Sequence, residues 1–388
     1  MNIAFLCNNI FTDGGVQRVV TNVANLLSKN NNITILCVDN NLVIDRDKYG
    51  LFKCVKVLQC EYREMNRLEF LVNRMCRGIN KVLGIFNHKF FNKIQFKVYH
   101  SKYLVDSVKS ILIKNNYDIV IGCEGFYSIV LASIKDSLIS KTIGWQHSSY
   151  DAYFKGELPY YKNREKLFSE YLNKLDENIV LTKYDKEQYK ENLKVNCIVI
   201  NNPISFECKK IKENNNKIMM SAGRLVYQKG FDMLIEAFSI FKSKDKDDWI
   251  LNIFGEGEEK KNLESKIKEL KMEDKIFIRP FTNNIREKMI ESNIFISTSR
   301  NEGFGLVIIE ALECGTPVIS FDNSGPNEIL KGYNCGILVE KNNILGIVNA
   351  MNKLAYNQSL RLDLSEKSKL RAKDFSKNNI LNKWYETL

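Results

Sequence analysis

Long apolar stretches are missing from this 388-residue chain. A membrane-spanning helix needs roughly 18 uninterrupted apolar residues. The nearest approach, Asp118–Ile134, is interrupted by Glu124, which argues against an integral membrane protein. The opening MNIAFLCNNIFTDGG has no basic n-region and soon turns polar; it predicts a first strand instead of a signal peptide, and with it a cytoplasmic protein. No C-x-x-C pair occurs among the 10 cysteines, and Cys7, Cys37 and Cys123 fall in apolar, strand-like runs. Buried, reduced thiols acting as small hydrophobes are expected there, not disulfides or metal ligands. Proline is scarce, at 5 residues, and no repeat at a period of about 20–50 residues is visible. With 44% hydrophobic and 27% charged residues, disordered and fibrous classes are excluded and two globular domains are the expectation.

Positive charge is what the chain has in excess, a formal +11. Such an excess suits a polyanionic partner, and it is concentrated: residues 61–114 carry eleven Lys/Arg against four Asp/Glu. Within that region Leu68, Leu71, Met75, Ile79, Val82, Leu83 and Phe86 recur at helical spacing, with Arg67, Arg74, Arg77 and Lys81 between them. Phe90, Phe91, Phe96 and Tyr99 then interleave with Lys89, Lys93 and Lys97. The profile fits a helix lying in an anionic membrane interface. It fits equally a helix packed on its own core with solvated cations. His88 and His100, in the same region, are expected at the surface. No motif that reads nucleic acid is present, so nucleic acid is not an expected partner.

Short β-branched runs alternate with helical patterns along the chain: Ile3–Cys7, Ile33–Val38, Asp118–Gly122, Lys141–Trp145, Asn178–Thr182 and Cys197–Ile200, then Ile218–Ala222, Trp249–Phe254, Lys275–Ile278, Asn293–Thr298, Pro317–Ser320 and Gly336–Val339. Continuous apolar runs suit parallel strands buried on both faces, so an α/β fold of two doubly wound, Rossmann-like domains is expected. The polar segment Asn201–Lys217 reads as their linker. It divides the chain into domains 1–202 and 203–375, with a final helix, 376–388, packing back on the first domain. Ligands of such folds bind beyond the carboxyl ends of the strands, so residues placed just after strands are the candidates.

Three segments meet that condition. After the first strand, Gly14 and Gly15 precede an amphipathic helix; they serve either a tight turn or a close backbone approach to a ligand. SAGRLVYQKGFDMLIEAF (Ser221–Phe238) sets Arg224 and Lys229 at a strand end and a helix mouth, where two cations can converge on a diphosphate. SRNEGFGLVIIEALECGTPVIS (Ser299–Ser320) places Glu302 in a loop and Glu310 eight residues on, inside a helix, where it interrupts an apolar face of Val307, Ala311 and Cys314. A carboxylate there needs a partner, which a ribose diol or the protein itself could supply.

These residues resemble retaining glycosyltransferases of the GT-B fold, family 4, of the bacterial surface-polysaccharide type. The hallmark E-X7-E is present as Glu302 and Glu310, and the preceding R-x4-K as Arg224 and Lys229. The resemblance is strong from Lys217 to Leu338 and looser before. It implies two domains facing each other across a cleft, 1–202 binding the acceptor and 203–375 the nucleotide sugar, with Arg224 and Lys229 on the nucleotide diphosphate and Glu310 on the ribose. It also implies Glu302, with the backbone of Phe304, Gly305 and Leu306, on the donor sugar, Phe281 nearest the nucleobase and Gly15 at the donor. His147, after the strand Lys141–Trp145, matches the family's histidine near the donor hexose. Two departures, NSGPNE (Asn323–Glu328) in place of a double glycine and G-G-V-Q-R near the N-terminus, leave the sugar open.

The implied reaction moves a hexosyl or N-acetylhexosaminyl group from a UDP-sugar to a hydroxyl of a lipid-linked glycan, such as one on polyprenyl diphosphate, with retention. No D-x-D stands in an obvious metal-binding loop, so no cofactor or metal is expected. The resemblance and the basic region together imply a peripheral enzyme on the inner face of the cell membrane. A UDP-sugar epimerase, or a basic membrane- or nucleic-acid-binding protein without catalysis, is the alternative.

Overall fold

The computed structural model describes residues 1–208, 216–244 and 247–388. The chain forms two compact units, Met1–Pro203 with Ile380–Leu388, and Ile204–Asn379. Of the segment read as a linker, residues 209–215 lie outside the described residues.

The first unit is built on seven parallel strands: β1 (Asn2–Cys7), β2 (Asn32–Cys37), β3 (Lys56–Gln59), β4 (Ile119–Cys123), β5 (Lys141–Trp145), β6 (Glu177–Val180) and β7 (Ile198–Val199), in the order β3-β2-β1-β4-β5-β6-β7. Pairing runs in parallel register from Asn2↔Asn32 to Cys7↔Cys37 and from Ile3↔Ile119 to Leu6↔Gly122. Helices on both faces bury these strands, which is why each reads as a continuous apolar run. Only β3 escaped the sequence reading; it is a half-exposed edge strand of four residues with polar ends. The helix Lys377–Thr387 finishes the unit: Trp384 meets the Trp145 ring edge-on at 4.8 Å, and Lys141 Nζ donates to the Thr387 carbonyl at 2.7 Å.

The basic region has an inverted pattern. The helix Arg67–Leu83 starts on a capping box, with Asn66 accepting from Glu69 N and Glu69 from Asn66 N, and stops at Gly84 in the left-handed region, φ 66°. Its polar residues face the protein: Asn80 is fully buried and donates to the Asn163 carbonyl at 3.1 Å, and Arg77 Nε donates to the Val98 carbonyl at 2.9 Å. Its apolar stripe faces outward, with Leu71 58% and Val82 78% exposed. The following helix Asn92–Tyr99 does the same, burying Asn92 and Gln95 while Ile94, and Phe90 before it, are exposed. The stripe is therefore not packed on this unit's own core. Among the described residues no helix is long and apolar enough to cross a membrane.

His100 is corrected by the structure: it is buried, stacked at 4.7 Å on Phe96 and at 4.7 Å on Phe126. The flat ring serves as an aromatic filler. Burial, reinforced by the charges of Arg164 and Arg77 and opposed by its bond to the Phe96 carbonyl, pushes its pKa down to about 3. The expected thiols are buried as anticipated, Cys7, Cys37 and Cys123 among them, and the described cysteines are all free.

The second unit repeats the plan with six parallel strands: β8 (Ile218–Ala222), β9 (Ile250–Phe254), β10 (Ile276–Arg279), β11 (Ile294–Ser297), β12 (Val318–Phe321) and β13 (Gly336–Val339), ordered β10-β9-β8-β11-β12-β13. From β8 the chain turns to β9 on one side and later resumes at β11 on the other. That reversal opens a crevice between the carboxyl ends of β8 and β11.

Candidate active site

At the β8/β11 reversal two loops are locked together. Gly230, which ends the turn after β8, has φ 63°, and a Cβ there would come within 2.1 Å of the Thr298 carbonyl oxygen just beyond β11. Thr298 Oγ1 in turn donates to the Gly230 carbonyl at 2.9 Å. Only glycine allows this approach. Arg300 staples the same loops: its guanidinium holds Asp232 through two bonds of 2.8 and 2.6 Å, donates to the Tyr227 carbonyl at 2.7 Å and lies 3.8 Å over the Tyr227 ring. Burial alone would push the Asp232 carboxyl up; the bonds and charge of Arg300 outweigh that and hold it below the usual range.

This frame brings Lys229 and Glu302 into direct contact, Nζ to Oε2 at 2.6 Å, with Ser299 Oγ donating to the same carboxylate oxygen at 3.1 Å. Ser221, Ala222, Phe231, Ser297, Thr298 and Val307 complete the wall. A part-buried cation and carboxylate, fixed at the crevice of a parallel sheet and bracketed by glycines, can engage a phosphate and sugar hydroxyls from adjacent positions.

The segment after Glu302 is equally constrained. Gly305, φ 96°, opens the helix Leu306–Glu313; its carbonyl accepts from Ile308 N and Ile309 N at 2.9 and 3.3 Å, which leaves the backbone N–H groups of Leu306 and Val307 without intrahelical acceptors. A Cβ on Gly325 would lie 2.2 Å from the Phe304 carbonyl oxygen. Gly325 N and Ser324 Oγ both donate to the Glu302 carbonyl, at 3.3 and 3.4 Å, and Asn323 Nδ2 donates to the Ser299 carbonyl at 2.7 Å. The NSGPNE segment thus braces the backbone of Glu302. Phe304 is itself buried, edge-on to Phe375 at 5.7 Å, so its contribution to a site is its backbone. Glu310 is fully buried on the helix beyond.

Arg224 follows β8 and is exposed; Phe281, on the loop after β10, is exposed as well. Sequence reasoning passed over Gly255 and Gly257. Added Cβ atoms there would come within 1.9 Å of the Gly223 carbonyl and 2.4 Å of the Leu225 carbonyl. They press the loop after β9 onto the backbone that carries Arg224, and a Gly-x-Gly directly after a strand was the available signal.

The first unit holds the two remaining candidates. Gly15 is the first residue of the helix Gly15–Leu27, and Gly14 N before it donates to Tyr49 Oη at 3.1 Å. His147, just beyond β5, is buried against the Trp145 ring at 4.1 Å, and its Nε2 has no partner among the described residues. Burial lowers its pKa to about 3, so near neutral pH it offers a neutral ring nitrogen for hydrogen bonding, not a charge.

A family described as glycosyl transferases group 1 matches residues 204–371. An uncharacterized glycosyltransferase of Haemophilus influenzae is 30% identical over 392 residues, covering 98% of both chains. The N-acetylgalactosamine-N,N'-diacetylbacillosaminyl-diphospho-undecaprenol 4-alpha-N-acetylgalactosaminyltransferase of Campylobacter jejuni is 35% identical over 166 residues, 42% of this chain and 44% of that one. Among solved structures, a mutant of S. aureus TarM in complex with Fondaparinux, alpha-GlcNAc-glycerol and UDP superposes with a TM-score of 0.76 at 17% identity, covering 99% of both chains. That last likeness is one of fold.

Proposed function

This chain belongs to the glycosyl transferases group 1 family, with the GT-B fold, and from that premise we propose that it is a family 4 enzyme of surface-polysaccharide synthesis. It transfers a hexosyl or N-acetylhexosaminyl group from a UDP-sugar, with retention and without a metal, to a hydroxyl of a lipid-linked acceptor glycan. The observation that carries the reading is the Lys229–Glu302 contact at the β8/β11 crevice. Lys229 and Arg224 neutralise the departing diphosphate, the task a divalent cation performs elsewhere. Glu310 takes the ribose hydroxyls, and Phe281 lies nearest the base. Glu302, the backbone of Phe304, Gly305 and Leu306, Gly15 and neutral His147 hold the sugar.

A UDP complex of a structural neighbour and a relative acting on an undecaprenol-linked glycan support the choice of donor and acceptor. The outward stripe of the helix Arg67–Leu83, flanked by cations, supports docking of residues 61–114 on an anionic membrane, and with it a peripheral position on the inner face of the cell membrane. Slow hydrolysis of UDP-Gal, UDP-Glc, UDP-GalNAc and UDP-GlcNAc, followed with and without EDTA, tests the donor. One of the four is expected to be consumed equally in both conditions; hydrolysis of none would refute the UDP-sugar reading, and dependence on added Mg²⁺ the metal-free one. Retention is checked by the anomeric proton coupling of the product. Cosedimentation with anionic vesicles at low salt checks docking, and the absence of binding would refute it.

A further inference from the structure

The first unit has a crevice of its own. The chain leaves β1 for β2 on one side and resumes at β4 on the other, so the strand order reverses between β1 and β4. Glu124 stands there, directly after β4 and as the first residue of the helix Glu124–Ile134.

Its backbone has φ 69°, a left-handed conformation that is unfavourable for a residue with a side chain and that persists where the surroundings impose it. The surroundings do so here. Gly125 N donates to Tyr153 Oη at 3.4 Å and Phe126 N to Tyr161 Oη at 3.1 Å. A Cβ on Gly125 would lie 2.6 Å from the Phe168 ring. Ser128 Oγ donates to the carbonyls of Glu124 and Gly122 at 2.8 and 2.9 Å, and accepts from Gln146 Nε2 at 3.0 Å. Gln146 adjoins His147, so one rigid frame links the ends of β4 and β5.

The carboxylate held by this frame makes no hydrogen bond or ion pair among the described residues, although it is only partly exposed. The titratable groups within range of its charge are the thiols of Cys7 and Cys123 and the hydroxyls of Tyr127, Tyr153 and Tyr161, all neutral near pH 7. Burial pushes the carboxyl up. Folding has no use for such a residue: asparagine or glycine would fit the backbone better, and a neutral side chain would suit the surroundings.

We propose that Glu124 is an acceptor-binding carboxylate, accepting hydrogen bonds from hydroxyls of the acceptor sugar at the β1/β4 crevice and so selecting the hydroxyl that reacts. The assignment rests on the glycosyl-transfer reading. Glu124 makes and breaks no bond in it; the carboxylate orients the acceptor.

The test uses the full chain, its preferred UDP-sugar and a panel of octyl glucosides, galactosides and N-acetylhexosaminides as acceptors. Glu124→Gln keeps the shape and loses the charge, so the acceptor KM is expected to rise at least tenfold while the UDP Kd stays within twofold. The acid limb of the wild-type transfer rate, set by a carboxyl that burial raises above its ordinary range, is expected to vanish with it. Glu124→Gly relieves the left-handed backbone, so the Tm is expected to hold or rise while transfer is lost. An unchanged acceptor KM and kcat in Glu124→Gln overturns the assignment. A Tm fall of several degrees in Glu124→Gly, with UDP affinity and transfer declining together, overturns it in favour of a structural role. If the wild type hydrolyses donor but glycosylates no member of the panel, the carbohydrate-acceptor assignment fails while the donor reading stands; if it neither binds UDP nor hydrolyses donor, the glycosyl-transfer reading fails.

Discussion

Acid should unfold the first unit through two buried histidines. His100 and His147 both have pKa values of about 3, burial being the leading cause in each. A histidine whose folded pKa lies below its unfolded value of about 6.5 binds protons preferentially when unfolded. Stability is therefore complete above about pH 6.5 and is lost as the pH falls from there toward 3. The slope is about half of 1.4 kcal/mol per pH unit for each ring at pH 6.5 and approaches that value below it, so moving from pH 6.5 to pH 5 costs about 1.6 kcal/mol per histidine and about 3.3 kcal/mol for both. That is a large part of an ordinary domain stability of about 5–15 kcal/mol. Glu124 works in the opposite direction, since a carboxyl with a raised folded pKa is protonated first in the folded state and returns part of the loss. With a urea m-value of about 2–3 kcal/mol/M, the net shift in midpoint is about 1–2 M. Tryptophan fluorescence reports it: Trp145 and Trp384 sit together in the first unit, and Trp249 alone in the second can be replaced by Phe. His100→Phe with His147→Gln should flatten the pH dependence of that transition. A midpoint that moves by less than about 0.3 M between pH 6.5 and 5, or a double variant that keeps the wild-type slope, would refute the reasoning.

Lys229→Ala should lower transfer at least about a hundredfold, since the proposed charge-stabilising contact to the leaving diphosphate would be lost, while circular dichroism stays that of the folded protein; near-normal turnover would remove Lys229 from the site. Gly230→Ala should destabilise the second unit by about 2–4 kcal/mol in urea unfolding, because the new methyl meets the Thr298 carbonyl at 2.1 Å on a backbone with φ 63°. A loss below about 0.5 kcal/mol would contradict that close approach. Leu71→Asp with Val82→Asp should abolish cosedimentation with anionic vesicles and leave the Tm within about 2 °C, as both side chains are exposed; a fall of several degrees would mean that the stripe is packed.

Legibility followed from what each residue's neighbours in the chain can reveal. Strands buried on both faces announce themselves as unbroken apolar runs, which is why both sheets were readable and the half-exposed edge strand β3 was not. Lys229 and Glu302 stood out because glycines punctuate the loops after their strands; their 2.6 Å contact spans 73 residues and needed the fold. Asp232 and Arg300, 68 residues apart, carry no local mark, and their staple was missed. Glu124 was noticed only as an interruption of an apolar run, whereas it is where β4 turns into the next helix. Its left-handed backbone is imposed by Tyr153, Tyr161 and Phe168, all distant in sequence. His100 misled because cations surround it in the chain while aromatic rings surround it in space.

The basic region shows why a helical stripe alone does not decide what it meets. Periodicity places Leu68, Leu71, Met75, Ile79 and Val82 on one face but does not say which face is attached. Attachment here is set by the polar side: Asn80 and Arg77 on one helix and Asn92 and Gln95 on the next find backbone or side-chain partners on the unit. Burying amides in that way stabilises little beyond what water would supply, and the apolar side chains that could have added about 1.5–3 kcal/mol each remain outside. A fold optimised in isolation would have rotated the helix by half a turn. Keeping a contiguous apolar stripe exposed, with Arg67, Arg74 and Lys81 along its edge, is consistent with a partner that is apolar within and anionic at its surface. The +11 of the chain is thereby separated into two kinds of charge: Lys229, held against Glu302 at the β8/β11 crevice, and a larger group whose position beside exposed leucines fits lipid headgroups better than a nucleic acid.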